Sequence, residues 1–230
     1  MINLSKRLQV VASYVKQDAI LADIGSDHAY LPTYLVQKGV IQKAVAGEVV
    51  KGPYESAVKN VQRENVSDAV TVRLANGLFA IQDGDGVDTV SIAGMGGPLI
   101  AKILEEGKSL LTSVKRIITQ PNIHAKAIRE WSVDNGWSII DEKILKEDGK
   151  IYEVVVLEKG NASYSETDLL LGPILSKEKD EVFNEKWQHE IKQWKHIVQS
   201  LGDAKNNPIV EEKRDQLNNQ IQLVEEVLQK

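Results

Sequence analysis

The residues able to do chemistry in this chain sit in short acidic or glycine-rich turns, each directly after an apolar run. The first is Asp23-Ile24-Gly25-Ser26-Asp27-His28, which follows Ile20-Leu21-Ala22. Gly25 has no Cβ, so the backbone can bend sharply there and a ligand can come close. An apolar strand, a glycine turn and a helix form the unit with which α/β proteins hold nucleotide-like cofactors at the carboxyl edge of a parallel sheet. Asp23 and Asp27 would repel a pyrophosphate, and the G-x-G-x-x-G pattern is absent. A cofactor with an ammonium and a sulfonium but no phosphate suits those acids, and S-adenosyl-L-methionine meets that description. Asp27 or the turn backbone is the candidate for its ammonium, although Asp27 is equally suited to cap the next helix. His28 is a candidate to stabilise charge or accept a proton, against the alternative of a hydrogen-bonded structural histidine.

Four further positions extend this reading. Glu48 closes the run Ala44–Gly47, at the spacing from Asp23 where an acid meets the ribose hydroxyls of an adenosine cofactor. A carboxylate accepts two hydrogen bonds from a vicinal diol. Asn76-Gly77 follows Val70–Leu74 and is either an adenine contact or an ordinary turn. Gly94-Met95-Gly96-Gly97-Pro98 brings backbone close to the methionine end of the cofactor and to the substrate, or else is a strand-to-helix connector. Gln120-Pro121-Asn122 offers amides able to pair with the edge of a planar base, or is a proline-directed loop. His124 is a weaker candidate beside it.

These turns need a scaffold. Apolar runs at 20–24, 43–47, 69–73, 87–93 and 115–119 predict strands. Helical periodicity at 4–16, 29–38, 51–65, 97–112 and 124–135 separates or precedes them. Such alternation predicts a parallel sheet covered by helices on both faces. Two β-rich runs, 137–145 and 151–157, then flank Glu147-Asp148-Gly149-Lys150, a hairpin signal. A mostly parallel sheet with a terminal antiparallel hairpin is the α/β, Rossmann-like plan of class I methyltransferases.

Composition shifts at Gly160–Ser163, which divides a 1–160 cofactor-binding domain from a helical 161–230 domain. In the latter, Phe183, Trp187, Ile191, Trp194, Val198 and Leu201 form one near-heptad stripe, and Val210, Leu217, Ile221, Val224 and Leu228 another. Residues 202–208 break them apart, which predicts a coiled-coil-like helical hairpin.

The net charge of −5 argues against a generally basic nucleic-acid coat, though not against a local basic patch. With no cysteine, disulfides and thiolate metal sites are excluded, and no metal site is expected. No apolar run reaches the length of about 20 residues that spans a bilayer, so no membrane partner is expected. A cytoplasmic location is the expectation, and oligomeric state stays open.

At Asp23-Ile24-Gly25-Ser26-Asp27-His28-Ala29-Tyr30-Leu31-Pro32, Gly47-Glu48-Val49, Ala93-Gly94-Met95-Gly96-Gly97 and Thr119-Gln120-Pro121-Asn122 the chain resembles the bacterial tRNA (adenine-22-N1)-methyltransferase family, TrmK. The resemblance extends through Leu171-Gly172-Pro173 and the helical hairpin. Asn76 stands where the family is expected to carry Asp. The resemblance implies methylation of N1 of adenine 22 in the tRNA D-arm, with S-adenosyl-L-methionine as donor and tRNA as partner. Direct in-line transfer would then rest on Gln120, Pro121, Asn122 and His28. The helical hairpin is a candidate tRNA clamp. Lys6, Arg7, Lys102, Lys108, Lys115, Arg116, Lys126 and Arg129 are candidates for phosphate contact. From the residues alone, a methyltransferase for a small molecule or protein, or a non-catalytic scaffold, stays open.

Overall fold

A computed structural model describes residues 2–201 and 207–229. Chain contacts divide it into two compact units, Met1–Ser163 and Tyr164–Lys230. The first opens with helix α1 (Lys6–Ser13), then β1 (Ile20–Ile24), α2 (Tyr30–Gln37), β2 (Lys43–Glu48) and α3 (Lys51–Arg63). There follow β3 (Val70–Leu74), β4 (Thr89–Gly96), α4 (Gly97–Glu106), β5 (Arg116–Ile123), α5 (Lys126–Asp134), β6 (Trp137–Glu147) and β7 (Lys150–Lys159). The seven strands lie in the order β3-β2-β1-β4-β5-β7-β6. The first five are parallel, and β7 is antiparallel to both β5 and β6. This is the expected parallel sheet with its terminal hairpin. Strands buried on both faces read as largely apolar runs; β1 does so, with Leu21, Ala22 and Ile24 all at 2% exposure or less and Asp23 the one polar residue.

Several elements depart from their expected bounds. Helix α1 stops at Ser13 rather than at 16. The helix expected over 97–112 breaks at Gly107 into α4 and a 3-10 turn, Lys108–Leu111; Leu78 comes so close there that no Cβ fits. Strands β4 and β5 run three and four residues past their apolar stretches, since Met95 pairs with Pro121 and Gly96 with Ile123 across a bulge. The segments 94–96 and 120–122 are therefore paired strand ends and not connectors. Helix α5 starts two residues late, after His124 takes a left-handed φ of 58°.

The second unit holds α6 (Glu166–Leu171), α7 (Leu175–Glu178), α8 (Glu181–Leu201) and α9 (Pro208–Gln229). Helix α6 begins with a capping box between Ser165 and Asp168. Helices α8 and α9 pack together, joined also by Lys195–Glu225 at 2.6 Å. Phe183, Trp187, Ile191, Leu217, Ile221 and Val224 are buried, while Trp194, Val198, Val210 and Leu228 are half-exposed. The break expected over 202–208 lies mostly outside the described residues.

Candidate active site

The strand order reverses between β1 and β4, and the crevice beyond the carboxyl ends of strands at such a point is where open α/β sheets bind ligands. The turn after β1 occupies that place, and its backbone is costly. Gly25 has φ 68°, and Asp27, His28 and Ala29 follow at 42°, 63° and 55°. A left-handed residue with a Cβ costs about 1–2 kcal/mol, so three in succession need outside support. Glu48 at the end of β2 accepts the Asp27 N–H at 2.6 Å, and Asn60 of α3 donates to the His28 carbonyl at 2.8 Å. Gly25 and Ser26 donate to the Gly47 carbonyl at 2.9 and 3.2 Å. Asp27 does not cap α2, contrary to the alternative weighed above: the cap position is Ala29, with no side-chain bond.

Asp23 lies behind the turn, 4% exposed. The Ser26 hydroxyl donates to one of its carboxylate oxygens at 2.5 Å, and the Ser91 hydroxyl to the other at 2.6 Å. It thereby ties the turn to β1 and β4. Burial pushes the Asp23 carboxyl above the usual carboxylate range, against those two hydroxyls. Burial raises Glu48 as well; the Asp27 N–H opposes the rise, and the charges of Asp27 and Asp23 add to it. His28 is partly exposed, stacks on Tyr30 with ring centres 5.3 Å apart, and places Nε2 3.4 Å from Asp27.

Beside this turn is a cavity of about 230 Å³. Of the predicted residues, Gly25, Asn76, Gly77 and Met95 line it, together with Ile24, Gly47, Val49, Ala75, Leu99, Lys102, Ile103 and Glu106. Asp23, Asp27, His28, Glu48, Gly94 and Gly96 are not among its walls. Periodicity on α4 hinted at part of this lining, because Leu99 and Ile103 are one turn apart. A Cβ on Gly25 would fall 2.1 Å from the Met95 methyl, so only glycine leaves that side chain in place. The next loop is clamped by Arg73, which binds Asp85 through both terminal nitrogens at 2.5 and 2.8 Å and donates to the Ala80 carbonyl at 2.7 Å.

The ends of β4 and β5 carry a closed polar ring. Gly94 N–H donates to Gln120 Oε1 at 3.2 Å, Gln120 Nε2 donates to Asn122 Oδ1 at 3.2 Å, and Asn122 Nδ2 donates to Gly94 O at 2.8 Å. Gln120 and Pro121 are buried and Asn122 is exposed. Arg7 of α1 joins the ring, donating from Nη1 to Gln120 Oε1 at 2.7 Å. Its guanidinium also lies 5.8 Å from the Tyr152 ring centre. Glu147 holds the start of α1 by accepting the N–H groups of Lys6 and Arg7 at 2.6 and 3.1 Å. Among the glycines here, Gly97 has the least space: a Cβ would lie 2.0 Å from the His124 carbonyl oxygen.

Several expected phosphate contacts have other partners. Arg129 is fully buried and bonded to Glu142 and Glu153 at 2.7 and 2.8 Å, which removes it from any surface. Arg116 is held by Glu158 at 2.7 Å and by the Tyr14 carbonyl at 2.8 Å. Lys108 pairs with Glu105 at 2.5 Å. Asn60 was not foreseen as a site residue; its signal was a polar side chain on the apolar stripe of α3, beside Ala57 and Val61. Among the described residues no group of three or more His, Cys, Asp or Glu could hold a metal ion, and no helix is long and apolar enough to cross a membrane.

The family model described as TrmK, tRNA (adenine(22)-N(1))-methyltransferase, matches residues 21–226. The chain is 45% identical to the tRNA (adenine(22)-N(1))-methyltransferase of Bacillus subtilis, over 99% of this chain and 98% of that protein. The crystal structure of the B. subtilis m1A22 tRNA methyltransferase TrmK superposes with a TM-score of 0.94 at 43% identity, covering 99% of each chain. TrmK from M. capricolum, in complex with the cofactor product S-adenosyl-homocysteine, gives 0.84 at 28% identity, covering 97% of this chain and 96% of that one.

Proposed function

The chain belongs to the TrmK family of tRNA (adenine(22)-N(1))-methyltransferases, and from that premise we propose that it transfers a methyl group from S-adenosyl-L-methionine to N1 of adenine 22 in tRNA. The observation that carries this reading is the left-handed turn at 25–29, held by Glu48 and Asn60 at the reversal point of the sheet. Strain of this kind persists only where surrounding structure enforces it, and it gathers at binding and catalytic sites.

The residues fit the donor. The cavity, at about 230 Å³, is below the roughly 300–1,000 Å³ of sites that enclose a whole drug-sized ligand, so it suits the adenosine half. Gly25, Gly77, Met95 and Leu99 supply its apolar walls, and Asn76 supplies an amide at its edge. Glu48, one of whose oxygens takes the Asp27 N–H, is assigned the ribose hydroxyls through the other, and Asp27 and the turn backbone are assigned the ammonium. Asp23 and Asp27 keep the region negative, which favours a cation over a diphosphate. When bound, the cofactor supplies an electrophilic methyl on a positively charged sulfur.

The chain then has to orient a base. Adenine N1 is neutral and carries its own lone pair, so no general base is needed. Gln120, Pro121 and Asn122 steer the base edge, and Gly94 to Gly97 shape the methyl corridor. Orientation of this kind is worth several kcal/mol, against about a few kcal/mol for drawing the base out of its stack. His28, stacked on Tyr30, offers a flat face beside the turn and a group that can carry charge. The hairpin of α8 and α9 is assigned to tRNA contact, and the cytoplasm, where tRNA is modified, to the reaction. Tritiated methyl transfer to a tRNA transcript with adenine 22, compared with one carrying guanine there, tests the reading. Equal labelling of the two transcripts would overturn it.

A further inference from the structure

The ring at the ends of β4 and β5 has a direction, set by Arg7 together with the Gly94 peptide. A guanidinium has five N–H donors and no acceptor. Its Nη1 lies 2.7 Å from the Gln120 side chain, so Gln120 has to turn its oxygen towards Arg7. That oxygen also takes the Gly94 N–H. The Gln120 NH2 is then committed to the other side, where it meets Asn122 at 3.2 Å, so Asn122 in turn presents its oxygen to Gln120 and its NH2 to the Gly94 carbonyl. An amide side chain by itself has two nearly equivalent orientations. Here Arg7 and the Gly94 peptide act together: Arg7 and the Gly94 N–H both require the Gln120 oxygen, and the Gly94 carbonyl requires the Asn122 NH2.

The geometry points to Arg7 as a positioning residue that, with the Gly94 peptide, fixes base selection through Gln120 and Asn122. This rests on the proposed function. Asn122 is the exposed member of the ring, and its oxygen, which accepts one bond from Gln120, retains a second lone pair. Adenine carries an exocyclic amine, a donor, beside the N1 that must stay free to be methylated. Guanine carries an oxygen at the corresponding place and a proton on N1. A fixed acceptor next to the methyl corridor selects the first edge and opposes the second. Should Asn122 turn over, it would offer NH2 and lose both that preference and its bond to the Gly94 carbonyl, and the Arg7 donor opposes this by holding Gln120. Arg7 reaches the ring because Glu147 anchors the start of α1 and because Tyr152 lies against the guanidinium.

The test uses full-length enzyme and two tRNA transcripts, one with adenosine at position 22 and one with purine riboside there, which keeps N1 and lacks the amine. The readout is the ratio of kcat/KM between them. Arg7→Met removes the donor. Gln120→Glu keeps an acceptor for Arg7, and so keeps that contact, but cannot donate to Asn122. Both variants are expected to narrow the wild-type preference for adenosine about three- to tenfold, the worth of one hydrogen bond. A purely structural role for the Arg7–Gln120 contact would leave the ratio unchanged in Gln120→Glu. Preservation of the wild-type ratio in Gln120→Glu, or in a folded Arg7→Met, overturns the proposal. If the wild-type enzyme methylates neither transcript, the functional reading itself falls, and that result is distinct from an unchanged ratio.

Discussion

Replacing Gly97 with alanine sets two energies against each other. Gly97 is the first residue of α4, and alanine in a helix is favoured over glycine by up to about 1 kcal/mol. Against that gain, the new Cβ would lie 2.0 Å from the His124 carbonyl oxygen, 2.8 Å from its carbon and 3.2 Å from the Ile123 oxygen. Ordinary contact begins near 3.4 Å, so α4 or the Ile123–His124 peptide has to move by more than 1 Å. These are backbone atoms, and His124 is already left-handed, which leaves little slack. Overpacking of this kind costs about 1–3 kcal/mol, or more where nothing yields. Sterics therefore exceed propensity, with a net loss of about 1–2 kcal/mol and a fall in Tm of about 2–8 °C. The same displacement moves Asn122, and a misplacement of about 1 Å can cost about 100-fold in rate. Gly96 is the matched control: its Cβ would lie 3.8 Å from Ile123 at an ordinary φ of −72°, so Gly96→Ala should stay within about 0.5 kcal/mol. Differential scanning calorimetry and methyl-transfer rates decide the matter. If Gly97→Ala melts with Gly96→Ala and keeps its rate, the fixed frame inferred for the strand ends is wrong.

Glu48→Gln should weaken S-adenosyl-L-methionine binding about 10- to 100-fold by calorimetry, because a charged acceptor is replaced by a neutral one. The wild-type affinity should decline as pH falls. Burial raises the Glu48 pKa, so the charged form is lost at a higher pH than for an ordinary carboxylate, and Glu48→Gln should remove that slope; an identical slope in both proteins would count against the ribose role. Asn60→Ala strips the His28 carbonyl of its donor and should cost about 1–3 kcal/mol in urea denaturation, with weaker cofactor binding. Unchanged stability would show that the left-handed turn needs no such support. Arg129→Met leaves Glu142 and Glu153 buried without their guanidinium and should cost about 3–5 kcal/mol. A loss below about 1 kcal/mol would mean that water or another partner takes its place.

The parallel sheet and its terminal hairpin were legible because burial on both faces leaves largely apolar runs, and Asp148-Gly149 marks the turn between the last two strands. Strand β1 matches its apolar run end to end, 20–24. Strands β4 and β5 do not, since their last residues are glycine, amide and proline, held by pairing with each other and not by apolar burial. The glycine and acid types around Gly25 announced a tight, negatively lined turn. They did not separate the acid that pins the turn, Asp23, from the one that holds its backbone, Glu48, because both are strand-end carboxylates in sequence.

Residue type and spacing by themselves determined which segments are strands or helices, where the backbone must bend, and the sign of charge at the bend, since each of these depends on neighbours within a few positions. Only the tertiary structure decided that Arg7 bonds Gln120, that Asn60 secures His28, that Arg129 is interior, and that Gly97 and not Gly96 is sterically obligatory. Those outcomes depend on strand order and register, which bring together groups as far apart as 113 positions, and no local pattern records where a crossover will end.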